Sequence, residues 1–361
     1  MTMIDSRTTR ATRRQMLRGG LRIAAGASLA MLGVARAGAQ ASGAAVPVTF
    51  LSRADGAAAL TRTPGDNYYA NMRLLESRSR TNSPMKGMSL AEARVAVRDY
   101  EAAAVRSFTA AEAAAIRGLI EHLQPLLAAR APLYARTPWS FIKLADDAEG
   151  GMPHTRGPHI VMPESALEGY VQQARDLVGA NPSPASRFLT NVLVHEQTHV
   201  LERAHPALFE PLITDVFGFT RMAPAPTTPW LETHEFANPD GPDVVWAFPL
   251  DKIGGSGWVM PHLTVPDLEL PRMPQDFQAV GVEVVRTGAG WQVVEQDGLP
   301  KRRDLDKIPG YDTHFPFPDE DFHPNEIAAV ALSHWILQDV PGVNQRPLMP
   351  AVAGWARKAL A

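Results

Sequence analysis

The run Asn191-Val192-Leu193-Val194-His195-Glu196-Gln197-Thr198-His199-Val200-Leu201 places two histidines four residues apart in an otherwise apolar segment. On a helix of about 3.6 residues per turn, His195 and His199 stack on one face, and both imidazoles reach a single zinc ion. Glu196 lies about 100° round the same helix, off the ligand line but within reach of a zinc-bound water. Zinc lowers the pKa of that water toward ~7, and a neighbouring carboxylate takes its proton. The flanking Val192, Leu193, Val194, Val200 and Leu201 predict a buried helix, in which two imidazoles and a carboxylate need partners. The bland alternative is a core helix with hydrogen-bonded histidines.

A catalytic zinc ordinarily takes three protein ligands and leaves a fourth position to water, and two residues compete for the third place. His205 stands ten residues after His195, where the HExxHxxGxxH pattern of metzincins has its last His. That pattern needs a Gly at its eighth place, and this chain has Glu202 there, a good helix former. A helix running on would carry His205 about 240° from His199, and Pro206 then ends it. The other candidate is Glu326, in Phe322-His323-Pro324-Asn325-Glu326-Ile327-Ala328-Ala329-Val330-Ala331-Leu332. Pro324 suits the first turn of a helix, and Ile327, Val330, Ala331 and Leu332 give it an apolar stripe. A carboxylate in its first turns faces the zinc from a second, packed helix. Glu326 is preferred.

This pairing resembles the gluzincins, zinc metallopeptidases whose third ligand is a Glu on a downstream helix. The Asn325-Glu326 pair looks like the opening of the second thermolysin-type motif, and His323-Pro324-x-Glu326 is similar to other gluzincin-like families. The chain departs from the thermolysin-like pattern at Val330, where that pattern has an Asp that holds a ligand His. The resemblance covers 191–201 and 322–332 only, so it bears on the zinc chemistry and says little about substrate. It implies His195, His199 and Glu326 as ligands of one zinc per chain and Glu196 as general base. A peptide or protein would be the substrate.

Residues 1–39 read as a targeting segment. Thr12-Arg13-Arg14-Gln15-Met16-Leu17-Arg18 matches the twin-arginine export pattern, an Ala/Gly-rich stretch follows from Leu21 to Val34, and Ala35-Arg36-Ala37 and Ala37-Gly38-Ala39 are A-x-A cleavage sites. The apolar stretch is too short and too Gly-rich to anchor the chain in a membrane. The expected location is the periplasm or the outside. Without this segment the chain keeps 28 basic and 37 acidic side chains, −9 overall, which argues against nucleic acid or an anionic membrane as partner. There is no cysteine, hence no disulfide.

The expected fold class is α+β: a helical zinc-binding core, a small mixed sheet and a long loop-rich insertion. The expected organisation is a helical and strand lobe at 40–185, then a zinc-binding lobe at 186–361 with the insertion at 222–322. Capping boxes at Ser89–Glu92 and Thr109–Glu112 open helices near 90–107 and 110–130, with Pro125 expected to kink the second. Trp139–Leu144 reads as a strand. His154–Met162, after a Gly-Gly turn, resembles the edge strand above the zinc of many metallopeptidases, although His154 and His159 also suit turn-flanking surface positions. Ser165-Ala166-Leu167-Glu168 is expected to cap a further helix. The region 222–322, rich in Pro, Gly, Asp and aromatics, shows one hairpin, Val280–Arg286 with Trp291–Val294, and is expected to wall the cleft. Tyr311, His314 and His323 stand near Glu326 in sequence; Tyr311 and His323 are candidates for holding the oxyanion or substrate. A non-catalytic periplasmic zinc-binding protein is the alternative from another class.

Overall fold

The computed structural model describes residues 46–62, 68–176, 184–241, 245–288, 290–317, 320–339 and 342–361. The targeting segment, with Arg13 and Arg14, lies outside the described residues. The architecture is α+β.

The first sheet has five strands: β1 (Val48–Phe50), β2 (Val105–Arg106), β3 (Trp139–Leu144), β4 (His154–Arg156) and β5 (His159–Pro163). Their order is β1-β3-β5-β4, with β2 also on β3. β1, β3 and β5 are parallel, and β4 runs antiparallel to β5 at the edge. Successive strand residues face opposite ways, and here both faces are covered. Trp139, Phe141, Ile160 and Met162 join the largest apolar core, while Ile142, Leu144 and Val161 enter a second one. The first core also receives Leu193, Val194, Val200 and Leu201 of the HExxH helix (Pro184–Ala204) and Ile327, Ala328, Ala331 and Leu332 of the Glu326 helix (Pro324–Leu337). The HExxH helix packs on β4 and β5 on one side and on the Glu326 helix on the other. Small side chains at Ala328 and Ala331, both wholly buried, suit that close packing. This core joins residues from both sides of position 185.

Both capping boxes form. Ser89 Oγ accepts from Glu92 N–H and Thr109 Oγ1 from Glu112 N–H, opening helices Leu90–Ala104 and Ala110–Arg130. The second helix is continuous through Pro125. The 154–162 stretch is not one strand: Gly157, with φ of 55°, turns it into the β4–β5 hairpin, so only its first half lies at the edge. The helix expected to be capped at Ser165 starts at Glu164 instead, directly after β5, and Ser165 N–H donates to Asp146 Oδ1 at 2.8 Å.

The insertion is more ordered than its composition suggests. Together with β6 (Thr220–Arg221), which immediately precedes it, it holds β7 (Trp246–Pro249), β8 (Trp258–Thr264), β9 (Gln278–Thr287), β10 (Gly290–Val293), the small pair β11 (Glu295–Gln296) and β12 (Leu299–Pro300), and β13 (Arg302–Asp304). Apart from β11 and β12, these build a six-stranded antiparallel sheet ordered β10-β9-β8-β7-β6, with β13 on β9. The expected hairpin is its β9–β10 edge. Pro261 and His262 interrupt the alternation of β8, and β6 is two residues long, so neither carries a strand pattern of its own.

Arg80, 1 % exposed, ties the insertion to the N-terminal half. Its guanidinium donates to Glu76 Oε1 at 2.8 Å, to Glu149 and to the Ala237 carbonyl, and lies 4.1 Å from the Phe236 ring centroid. Arg80→Met should cost roughly 3–5 kcal/mol, because it leaves two buried carboxylates without their shared cation. A denaturant midpoint unchanged from the parent protein would remove this assignment.

Candidate metal centre

The helix that carries His195, Glu196 and His199 ends at Ala204 after burying all three side chains. The histidine spacing brings the two Nε2 atoms to 3.1 Å of each other. Opposite them, His323 and Pro324 start the second helix. The His323 Nδ1 accepts from Asn325 N–H at 3.2 Å as N-cap, and Pro324 takes a first-turn position where a missing N–H costs nothing. Glu326, in that first turn, is thereby aimed at the histidines. Its Oε2 is 3.1 Å from His195 Nε2 and 3.6 Å from His199 Nε2.

These three donor atoms form a triangle with sides of 3.1, 3.1 and 3.6 Å. The edge of a tetrahedron around an ion bonded at ~2.0–2.1 Å is about 3.3–3.4 Å. His195, His199 and Glu326 are therefore spaced as three corners of a tetrahedral site, and they can hold a metal ion. A second overlapping group, Glu196, His199 and Asp240, also has its ligand atoms within 4.8 Å of one another.

The surroundings orient two of the three side chains. Glu202 Oε2 lies 2.9 Å from His199 Nδ1 and accepts that proton, which leaves Nε2 toward the triangle. Asn238 Nδ2 donates to Glu326 Oε1 at 2.6 Å, leaving Oε2 for the histidines. Asp240 Oδ1 accepts from the Thr155 N–H at 2.6 Å and hydroxyl at 2.7 Å, which joins the insertion to β4. The loop carrying Asn238 and Asp240 runs tight against the second helix: a Cβ on Gly241 would stand 2.6 Å from His323 Cε1. Thr198, between the histidines, bonds the Tyr134 hydroxyl at 2.7 Å.

Electrostatically the site is a trap for positive charge. Burial alone would lower the His199 pKa, but the Glu326 and Asp240 carboxylates outweigh it and hold the imidazole well above its ordinary value. Burial likewise opposes ionisation of Glu326, and the two histidines overcome it, holding the carboxyl well below the usual range. A cation docking at the triangle displaces the His199 proton, so its affinity should rise with pH. Competition titrations at two pH values would show this, and a pH-independent affinity would contradict the proton-for-metal exchange.

His205 is exposed, stands at the N-cap position of the short helix Pro206–Pro211 without a side-chain capping bond, and belongs to neither metal-capable group. The HExxH helix stops one residue before it, so its side chain leaves the ligand face. Tyr311 is wholly buried in an aromatic cluster with Phe248 and Phe315, and its hydroxyl donates to the Asp321 carbonyl at 3.0 Å. His314 Nε2 lies 3.4 Å from the Phe217 carbonyl. Among the candidates near Glu326, then, His323 caps the ligand helix and Tyr311 packs the core behind it. Sequence reasoning overlooked Glu202, Asn238 and Asp240. Glu202 had a readable signal, a carboxylate three residues after a ligand His on one helix; the other two sit in an aperiodic loop and had none. No protein-family model, no curated protein and no solved structure matches the chain.

Proposed function

We propose that the chain is an exported zinc-dependent peptidase of gluzincin type. The observation that carries this reading is the tetrahedral spacing of His195, His199 and Glu326 with the Glu196 carboxylate buried on the same helix turn. Two imidazoles and a carboxylate suit zinc, which when bound polarises a carbonyl oxygen and acidifies water. Glu196 takes the proton of the attacking water and returns it to the leaving nitrogen as the C–N bond breaks. Glu202 and Asn238 hold His199 and Glu326 in their ligating orientations.

Cleavage of a mixed peptide library by zinc-loaded protein, with a chelator control, tests this. Chelator-sensitive cleavage supports the reading. A zinc-replete protein that cuts nothing would favour the non-catalytic zinc-binding alternative.

The export part rests on the Arg13-Arg14 pattern and the A-x-A sites that follow it. No described helix is long and apolar enough to cross a membrane. Replacing Arg13 and Arg14 with Lys should leave unprocessed precursor in the cytoplasm, and normal export of that double variant would refute the twin-arginine route.

A further inference from the structure

We propose that the cleft beside the triad selects substrates by a cationic, hydrogen-bond-donating group, an ammonium or a guanidinium, carried on an apolar stem. The proposal rests on the peptidase reading for the bond that is cut, but not for what is bound.

The cleft opens to solvent between the β4 hairpin, the insertion and the start of the Glu326 helix. Its walls are apolar, with Phe236, Leu263, Met273 and Phe277 prominent, so they accept a hydrocarbon stem. Its ionisable lining is one-sided. Glu149, Asp240, Glu320 and Glu326 face it, and no Lys or Arg does among the described residues. Glu149 accepts from the Tyr68 hydroxyl at 2.7 Å and shares Arg80 with Glu76. Two carboxylates around one guanidinium leave excess negative charge at that end. A divalent ion at the triad would offset Glu326 and one further carboxylate, and the balance would stay negative.

His154 gives a second, independent sign. It lies on β4, 3 % exposed, and lines the cleft. Its Nδ1 stands 3.1 Å from the Met152 carbonyl, which can only accept, so Nδ1 carries the proton. Burial pulls its pKa down to about 4, against the Asp240 charge, so the ring is neutral at neutral pH and Nε2 is a bare acceptor. That Nε2 is buried and meets no hydrogen-bond partner among the described residues. A buried acceptor left unmatched costs about 1–3 kcal/mol, which a donor delivered by a ligand recovers. With this tautomer His154 does not donate to an oxyanion. It receives an N–H, and the Asp240 charge, which outweighs either of the more weakly acting Arg156 and Arg80 guanidinium groups, favours a charged donor there.

The cation has two sources, a Lys or Arg side chain or the free amine at a peptide's N-terminus. Calorimetric titration of the zinc-supplemented full-length mature protein with matched amides separates them. Nα-acetyl-lysine amide against Nα-acetyl-norleucine amide tests the side chain; leucine amide against Nα-acetyl-leucine amide tests the terminus. One member of at least one pair should bind about tenfold or more tighter for its charge, the worth of one charge-assisted hydrogen bond. His154→Leu and Glu149→Gln should each reduce that preference severalfold while leaving the neutral ligand unchanged. Glu149→Gln leaves Arg80 paired one-to-one with Glu76, so it strands no buried charge. Equal affinities within both pairs, no binding of any amide at millimolar concentration, or a preference untouched by both variants would overturn the proposal. Charge-selective binding without any library cleavage would instead sink the peptidase reading alone, and cleavage indifferent to charge would sink this proposal alone.

Discussion

Glu196→Gln is expected to keep the fold and the bound metal while lowering peptide hydrolysis by a factor of ~10²–10⁴, the usual worth of a positioned general base. Glu196 lies outside the His195–His199–Glu326 triangle, so its loss removes no member of that ligand set. It is wholly buried, and the carboxamide has nearly the same shape, so packing in the HExxH helix is preserved. The amide can neither take the proton of water nor return one to a leaving amine. Zinc content and melting temperature should match the parent protein, and library cleavage should fall to the chelator background. Equal residual activity in both proteins would mean that the chemistry is done elsewhere or by a contaminant. A variant that loses zinc along with activity would make Glu196 a ligand, through the overlapping group it forms with His199 and Asp240.

What the chain's own letters reveal about this site follows the range of the interactions. His195, Glu196 and His199 are legible because a ligand pair at four-residue spacing is a local consequence of helix geometry. Glu326 is legible at long range only because its helix announces its own start, with Pro324 in the first turn and an apolar stripe behind. The two capping boxes read correctly for the same reason, each being complete within four residues. The insertion behaves differently. β8 contains Pro261 and His262, so its pattern is broken, and its pairing with β9 over seven residues is set by cross-strand contacts that no local window contains. Asn238 and Asp240 belong to that same class. Their positions depend on Gly241 passing tight against His323 and on Asp240 capturing Thr155, contacts 82 and 85 residues apart in the chain. The turn at Gly157 was there to be read, but the continuous β-branched and apolar run after it favours a single longer strand.

Glu326→Ala should abolish tight metal binding, whereas His205→Ala should leave it intact. The first removes one corner of the triangle and leaves two imidazoles; the second changes an exposed residue at a helix N-cap position. Loss of a residue that merely orients a ligand costs about 10–100-fold in metal affinity, and loss of the ligand itself should cost more. The expected order is therefore Glu326→Ala worst, Glu202→Ala and Asn238→Ala intermediate, His205→Ala unchanged. Stability gives a second readout by linkage. Metal at 1,000 times its Kd stabilises the native state by about 4 kcal/mol, so zinc should raise the melting temperature of the parent and of His205→Ala but not of Glu326→Ala. Glu326→Gln guards against simple misfolding, since its amide can keep the contact with Asn238 while losing the ligand charge. If His205→Ala loses metal and Glu326→Ala keeps it, the third ligand comes from the end of the HExxH helix and the metzincin-like arrangement is correct. If the parent protein holds no metal at either pH, the buried triangle is a proton-bridged core cluster, with the His199 imidazolium taking the cation's place beside Glu326.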